Sequence, residues 1–187
     1  MLRERAEAVG ARFHALDEVA GIGEVEVRTE GTSFRLRSAA WGERGVSTPL
    51  VGPHQARNAA LAAELLALLP EGVRPGWGEV EAGFATVRWP GRFQVERLGG
   101  TTWVFDVAHN PAGVRSLAAT LDAVELPRPR VLVAAILSDK EWNTMLPPSW
   151  SARTRRCSPW LPPPRRGGAG IRRPRLRASP TRASRCG

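Results

Sequence analysis

Residues able to do chemistry gather in three short runs. The first is Gly52-Pro53-His54-Gln55-Ala56-Arg57-Asn58-Ala59-Ala60 and the second Trp89-Pro90-Gly91-Arg92-Phe93. The third is Phe105-Asp106-Val107-Ala108-His109-Asn110-Pro111, followed further on by Ser138-Asp139-Lys140-Glu141. Arg92 offers a bidentate contact to an anion. Asn110-Pro111 is a helix start, Asn to cap and Pro at the first helical position, and such a start directs free N–H groups and a positive dipole end at phosphate or carboxylate. His109 stands at the same mouth. Together these are counter-charges for an anionic nucleotide and an anionic amino acid. Taken singly, each residue fits a structural role: Asp106 capping a turn, Asn110 capping a helix, His54 and Gln55 as loop and N-cap residues. As an ordered set they point to function. Arg57 and Arg115 read as solvated surface charge on helices, and the seven Trp residues have no stacking spacing.

The elements that must position these runs follow from periodicity. A polar surface helix is expected over Leu2 to Gly10, with Gly10 as its stop. Alternation in Glu24–Arg28 and Ser33–Arg37 around Glu30-Gly31-Thr32 predicts a half-buried hairpin. Gln55 to Leu69 predicts the strongest helix, with Leu61, Leu65 and Leu68 on one face and Ala filling much of the rest. A weaker helix is expected from Gly78 to Val87. Phe93–Leu98 and Thr102–Ala108 read as strands about Gly99-Gly100, then comes the Asn110-Pro111 helix through Leu117 and Leu121. The apolar run Val131 to Leu137 predicts a buried parallel strand closing a β-α-β unit. Asp106 would then end one parallel strand and Asp139-Lys140 follow the next, both at the carboxyl edge where ligands bind in open α/β sheets.

The 187 residues carry 27 Lys+Arg and 18 Asp+Glu, a net +9, which alone points to a polyanionic partner. The charge is unevenly placed. Residues 1–150 hold 15 Arg, one Lys and all 18 acids, net −2, whereas 151–187 hold 11 Arg and no acid, net +11. A slightly acidic body argues against a nucleic-acid-binding fold. The tail is rich in Arg, Pro, Ala and Gly and lacks periodicity, so it cannot bury enough apolar surface to offset its ordering entropy. Out-of-frame translation starting near Pro148 is the expected origin; a disordered basic arm for RNA or lipid is the competing one. Cys157 and Cys186 form neither a disulfide framework nor a zinc site. No apolar run reaches membrane-helix length and the N-terminus lacks a signal-peptide core, so a cytoplasmic protein without a membrane partner is expected.

The ordered set W-P-G-R, D-x-A-H-N-P and D-K, with G-x-H-Q-x-x-N-A-A upstream, resembles the folylpolyglutamate synthase/dihydrofolate synthase family of Mur-type ATP-dependent amide ligases. The similarity covers most of residues 1–147. It implies an α/β fold: the C-terminal part of a central ATP-binding domain over residues 1–90, and the start of a Rossmann-like C-terminal ligase domain, its first β-α-β, over 91–148. Residues 149–187 follow as the tail. In such ligases ATP phosphorylates a carboxylate, and the amino group of L-glutamate attacks the acyl phosphate; the acceptor is a folate or dihydropteroate. The resemblance implies Asn58 near the adenine, Arg92 on the ATP phosphates and Asp106 on the ribose. It also implies His109 near the phosphates or glutamate, and Lys140 near the incoming glutamate. A monomer using ATP and Mg2+ is implied. Val107 stands where the family has Gly, a side chain that would crowd a close backbone–ligand approach. The phosphate loop of such ligases ends in Gly-Lys-Ser/Thr, yet the one lysine here is Lys140, behind Asp139. Metal ligands and most folate-contacting surface are expected upstream of Met1. The expectation is a C-terminal fragment whose activity by itself is in question. The alternatives are a small basic nucleic-acid-binding protein acting through residues 151–187, and a partner subunit completed in trans.

Overall fold

Alternation forms the first sheet, in a computed structural model that describes residues 1–134, Met145 and residues 156–157. Two short helices, α1 (Leu2–Ala8) and α2 (Leu16–Val19), lead into β1 (Ala20–Arg28), β2 (Gly31–Ser38) and β3 (Gly42–Thr48). The three strands are antiparallel in sequence order, with Arg28 opposite Gly31 and Phe34 opposite Val46. The expected hairpin is therefore present, and β3 is a third strand that its polar, glycine-bearing sequence hides. Thr32, Phe34 and Leu36 of β2 point inward with Val46 and Thr48 of β3. The opposite face is solvated, and there Arg35 meets Glu24 and Glu43 at 3.1 and 3.4 Å. One buried and one wet face is the ordinary state of an antiparallel sheet.

Helix α3 (Pro53–Ala67) lies on the buried face of this sheet. It does so through Ala56, Ala59, Ala60 and Ala63. The leucine stripe faces the other way: Leu61, Leu65 and Leu68 are 45%, 58% and 54% exposed. Phe34, Leu36 and the partly buried Trp41 fill the interior, leaving room only for methyl groups on the facing helix. Trp41 also donates its Nε1–H to the Ala63 carbonyl at 2.9 Å, holding helix and sheet close. Helix α4 (Trp77–Thr86) packs on β3 with Val80 buried, and its Glu79 carboxylate accepts from the Gly76 N–H at 2.8 Å.

The second sheet is a hairpin, β4 (Gln94–Leu98) and β5 (Thr101–Phe105). Gly99 and Gly100 turn it with φ of 57° and 75°, the pair of left-handed residues that a two-residue type I′ turn needs. Helix α5 (Pro111–Ala123) follows, capped by the Asn110 side chain, which accepts from the Gly113 N–H at 2.8 Å. Phe93, Val124 and Val51 form its buried centre, with Val95, Val104, Leu117 and Leu121 around them.

Three expectations change here. β5 pairs antiparallel with β4; among the described residues it has no parallel neighbour, so Asp106 follows an antiparallel strand. Among the described residues the apolar run gives β6 (Leu132–Val133). Val131 and Val133 are 62% and 63% exposed, because the described residues place one neighbour beside β6 and no layer over it. That neighbour is β7 (Arg156–Cys157), parallel to β6 and inside the tail expected to lack regular structure. Residues 135–137 of the run, Asp139, Lys140 and the rest of the tail lie outside the described residues. No helix among the described residues is long and apolar enough to cross a membrane.

Candidate functional site

Helices α3 and α5 meet near the start of α3, and the 89–93 turn closes over that junction. Between them is a cleft of about 110 Å³ lined by His54, Gln55, Arg92, Phe93, Asp106 and, from α5, Ser116 and Thr120 among others. Two of the three chemical runs contribute charged groups to it, and the third contributes an imidazole.

Asp106 is the clasp of the site. Its Oδ2 accepts from the Phe93 N–H at 2.9 Å and its Oδ1 from the Ala108 N–H at 2.8 Å. The Val107 N–H donates to the Gly91 carbonyl at 2.9 Å, and the Gly91 N–H to Gln94 Oε1 at 3.0 Å. The turn so held carries backbone strain: Gly91 has φ 74°, and Phe93, a non-glycine residue, has φ 45°. A left-handed bulky residue costs on the order of 1–3 kcal/mol and persists where its surroundings over-determine it. Here the Phe93 ring is buried to 2% exposure and its N–H is bound by Asp106. The clasp therefore fixes the backbone of Arg92, whose guanidinium sits 5.8 Å from the Trp89 ring centroid. Among the described residues Arg92 makes no ion pair, so its charge is open to an anion. Val107 uses the space that Gly91 leaves: a Cβ on Gly91 would meet Val107 Cγ1 at 2.8 Å.

His54 is half-buried at the cleft wall. Burial pushes its pKa below the usual imidazole value, the Asp106 carboxylate pulls it back up, and the Arg92 guanidinium pushes it down. Its Nε2 lies 3.0 Å from Gln55 Nε2, and Gln55 Oε1 accepts from Asn58 Nδ2 at 3.1 Å. Close approach of the ring depends on Gly52, with φ 134°. A Cβ there would meet His54 Cε1 at 2.6 Å and Thr120 Oγ1 at 2.7 Å.

Of the residues expected at the site, Arg92 and Asp106 come together in the cleft. Asn58 does not line it; it is exposed on α3 and reaches it through Gln55. His109 is exposed, its Nδ1 3.2 Å from the Val107 carbonyl, and it too lies off the cleft. Lys140 lies outside the described residues. His54 and Gln55, which singly fit loop and N-cap roles, are cleft residues, and the G-x-H-Q run was their signal. Ser116 and Thr120 had no signal beyond their place on α5. Asn110 does the capping work its sequence predicted.

The groups present suit part of a nucleotide. A whole small-molecule site usually spans roughly 300–1,000 Å³, so this cleft has room for a fragment such as a phosphate or a sugar edge. Among the described residues no three His, Cys, Asp or Glu side chains converge on a point, so these residues supply no magnesium cage.

Residues 91–148 match the family model for the Mur ligase glutamate ligase domain. The chain is 36% identical over 124 residues to dihydrofolate synthase/folylpolyglutamate synthase of Mycobacterium tuberculosis, covering 65% of this chain and 25% of the relative. The solved folylpolyglutamate synthase of the same organism, complexed with ADP, superposes with a TM-score of 0.66 at 30% identity. That match covers 77% of this chain and 32% of the other. A folylpolyglutamate synthase complexed with AMPPCP and folate gives 0.69 at 25% identity, over 82% and 37%. The chain thus spans between a quarter and about two fifths of the length of these proteins. With the W-P-G-R turn clasped by the Asp of D-x-A-H-N in an α/β fold of this kind, residues 91–148 carry the Mur ligase glutamate ligase domain, and the chain is similar to part of the folylpolyglutamate synthase/dihydrofolate synthases.

Proposed function

We propose that this chain forms one side of the nucleotide site of a ligase that joins L-glutamate to a folate or dihydropteroate. The observation that carries the reading is the Asp106 clasp, which holds Arg92 at the cleft with its charge unmatched among the described residues. When bound, ATP supplies the phosphoryl group that activates the acceptor carboxylate. Arg92 binds and orients its phosphates through a forked, charge-assisted contact. Asp106 keeps lone pairs beyond its two backbone bonds, and with these it accepts from a ribose hydroxyl. Asn58, on the outer turn of α3, reads the adenine edge. His109 stands at the start of α5, near the phosphates or the glutamate, and Lys140 meets the incoming glutamate. Relatives solved with ADP, and with AMPPCP and folate, support the choice of ligands. Magnesium would accompany the nucleotide; the described residues hold no ligand set for it.

No Gly-Lys-Ser/Thr sequence occurs in the chain. The reading therefore gives these residues the Arg92–Asp106 corner, with the remainder of the phosphate site belonging to the longer enzyme. Residues 1–90 and 91–148 are assigned to the central ATP-binding and C-terminal ligase domains, in a monomeric cytoplasmic enzyme.

Calorimetry with AMPPCP on the whole chain tests the reading. Weak binding is expected, and Arg92→Ala is expected to reduce it about tenfold or more, the scale of a lost charge-assisted contact. Absence of binding at millimolar AMPPCP, or binding indifferent to Arg92→Ala, would sink it.

A further inference from the structure

Gln55 occupies the start of α3 with only 5% of its surface exposed, an uncommon degree of burial for an amide side chain. Both ends of that amide are engaged. Oε1 accepts from Asn58 Nδ2 at 3.1 Å, and Nε2 lies 3.0 Å from His54 Nε2. An amide nitrogen donates and has no lone pair to offer. The contact therefore requires His54 Nε2 to be the acceptor, which leaves the ring hydrogen on Nδ1.

Gly52 lies against the other side of the ring. Thr120 is fully buried, and its hydroxyl donates to the Ser116 carbonyl at 2.8 Å. What Thr120 presents to its surroundings is lone pairs. Thr120 Oγ1 and His54 Nδ1 lie 2.7 and 2.9 Å from the point that a Cβ on Gly52 would occupy. The charged groups that act on the ring are Asp106, after β5, and Arg92, on the 89–93 turn. The cleft residues of α5, Ser116 and Thr120 among them, carry no charge.

We propose that Gln55 is a positioning residue. It fixes His54 as the neutral Nδ1–H tautomer and ties Asn58 into the same hydrogen-bonded row, so that the cleft wall and the outer turn of α3 are set together. Its consequence for ligand binding rests on the nucleotide reading of the cleft: Arg92 stays the cleft's cation and Asn58 is held for its partner.

Long-range proton–nitrogen NMR of the histidine rings in the whole chain reads the tautomer directly. The wild type is expected to carry hydrogen on His54 Nδ1 with Nε2 bare. In Gln55→Glu the side chain accepts only, so the hydrogen is expected to move to Nε2 and the His54 pKa to rise. Gln55→Met keeps the length without the amide; it is expected to release the tautomer preference and weaken AMPPCP about five- to tenfold, the scale of one hydrogen bond. A wild-type ring protonated at Nε2, a tautomer unmoved in Gln55→Glu, or unchanged AMPPCP affinity in Gln55→Met would overturn the proposal. The tautomer is read without nucleotide. If it is as expected and AMPPCP does not bind, the ligase reading falls and the fixing of His54 stands.

Discussion

At the residue scale the site is governed by what Asp106 and Gly52 permit. Both oxygens of Asp106 accept backbone N–H groups from two separate segments, and a carboxylate is the side chain that can accept at both ends. Asp106→Asn keeps the shape but turns an NH2 toward one of those donors. Leaving a partly buried donor unpaired is expected to cost about 1–3 kcal/mol, read as a lowered urea midpoint with the folded-state spectrum retained. His54 adds a pH dependence whose sign follows from its lowered pKa. The folded state favours the neutral ring, so this stabilisation is present above the ordinary histidine value and is lost as pH falls through the lowered one. Denaturant midpoints should decline between about pH 7 and pH 5, and the decline should be shallower in His54→Asn. An equal decline in both proteins would assign the dependence to other groups. The sequence displayed these residues but not their partners. Asp106 and Arg92 were legible because the D-x-A-H-N and W-P-G-R runs are specific. The Asp106-to-Phe93 bond spans 13 residues, and no local pattern encodes it.

At the element scale, helix and hairpin boundaries followed from period and turn chemistry. Gly99-Gly100 turns the second hairpin, and Asn110-Pro111 opens α5, as their types require. Orientation was less legible. In α3 the leucines form the more hydrophobic stripe, yet the alanines are buried, because the facing sheet already carries Phe34 and Leu36 and admits only methyls. Periodicity finds that a helix is amphipathic; volume on the opposing surface decides which face goes in. This makes opposite predictions for two ordinarily unremarkable changes. Ala60→Leu, at a position with no exposed surface, is expected to cost about 1–3 kcal/mol or more through overpacking. Leu65→Ala, 58% exposed, should change stability by about 0.5 kcal/mol or less. Comparing the two midpoints checks the orientation, and a reversed order would mean that the leucine stripe is the buried one. β3 escaped notice because Gly42-Glu43-Arg44-Gly45 offers no alternation; it is a strand through its pairing with β2.

At the scale of the whole molecule, the net charge of +9 is unevenly placed: residues 1–150 carry −2, and the match to the Mur ligase glutamate ligase domain falls within them. Two apolar cores, one under the three-stranded sheet and one between the second hairpin and α5, set a cleft where their helices touch. The cleft depends on the meeting of segments distant in sequence, which explains why His54 was legible only as a loop residue until α5 and the 89–93 turn were seen beside it. The central claim is that this junction is the Arg92–Asp106 corner of a ligase nucleotide site. Titrating the isotope-labelled chain with AMPPCP and mapping the amide shifts tests it most directly. Perturbations are expected to concentrate at residues 52–58, 91–93 and 106–110 and to require about tenfold or more AMPPCP in Arg92→Ala. Perturbations centred elsewhere, such as the open groove lined by Glu26, Arg28 and Thr48, or none at all, would contradict it.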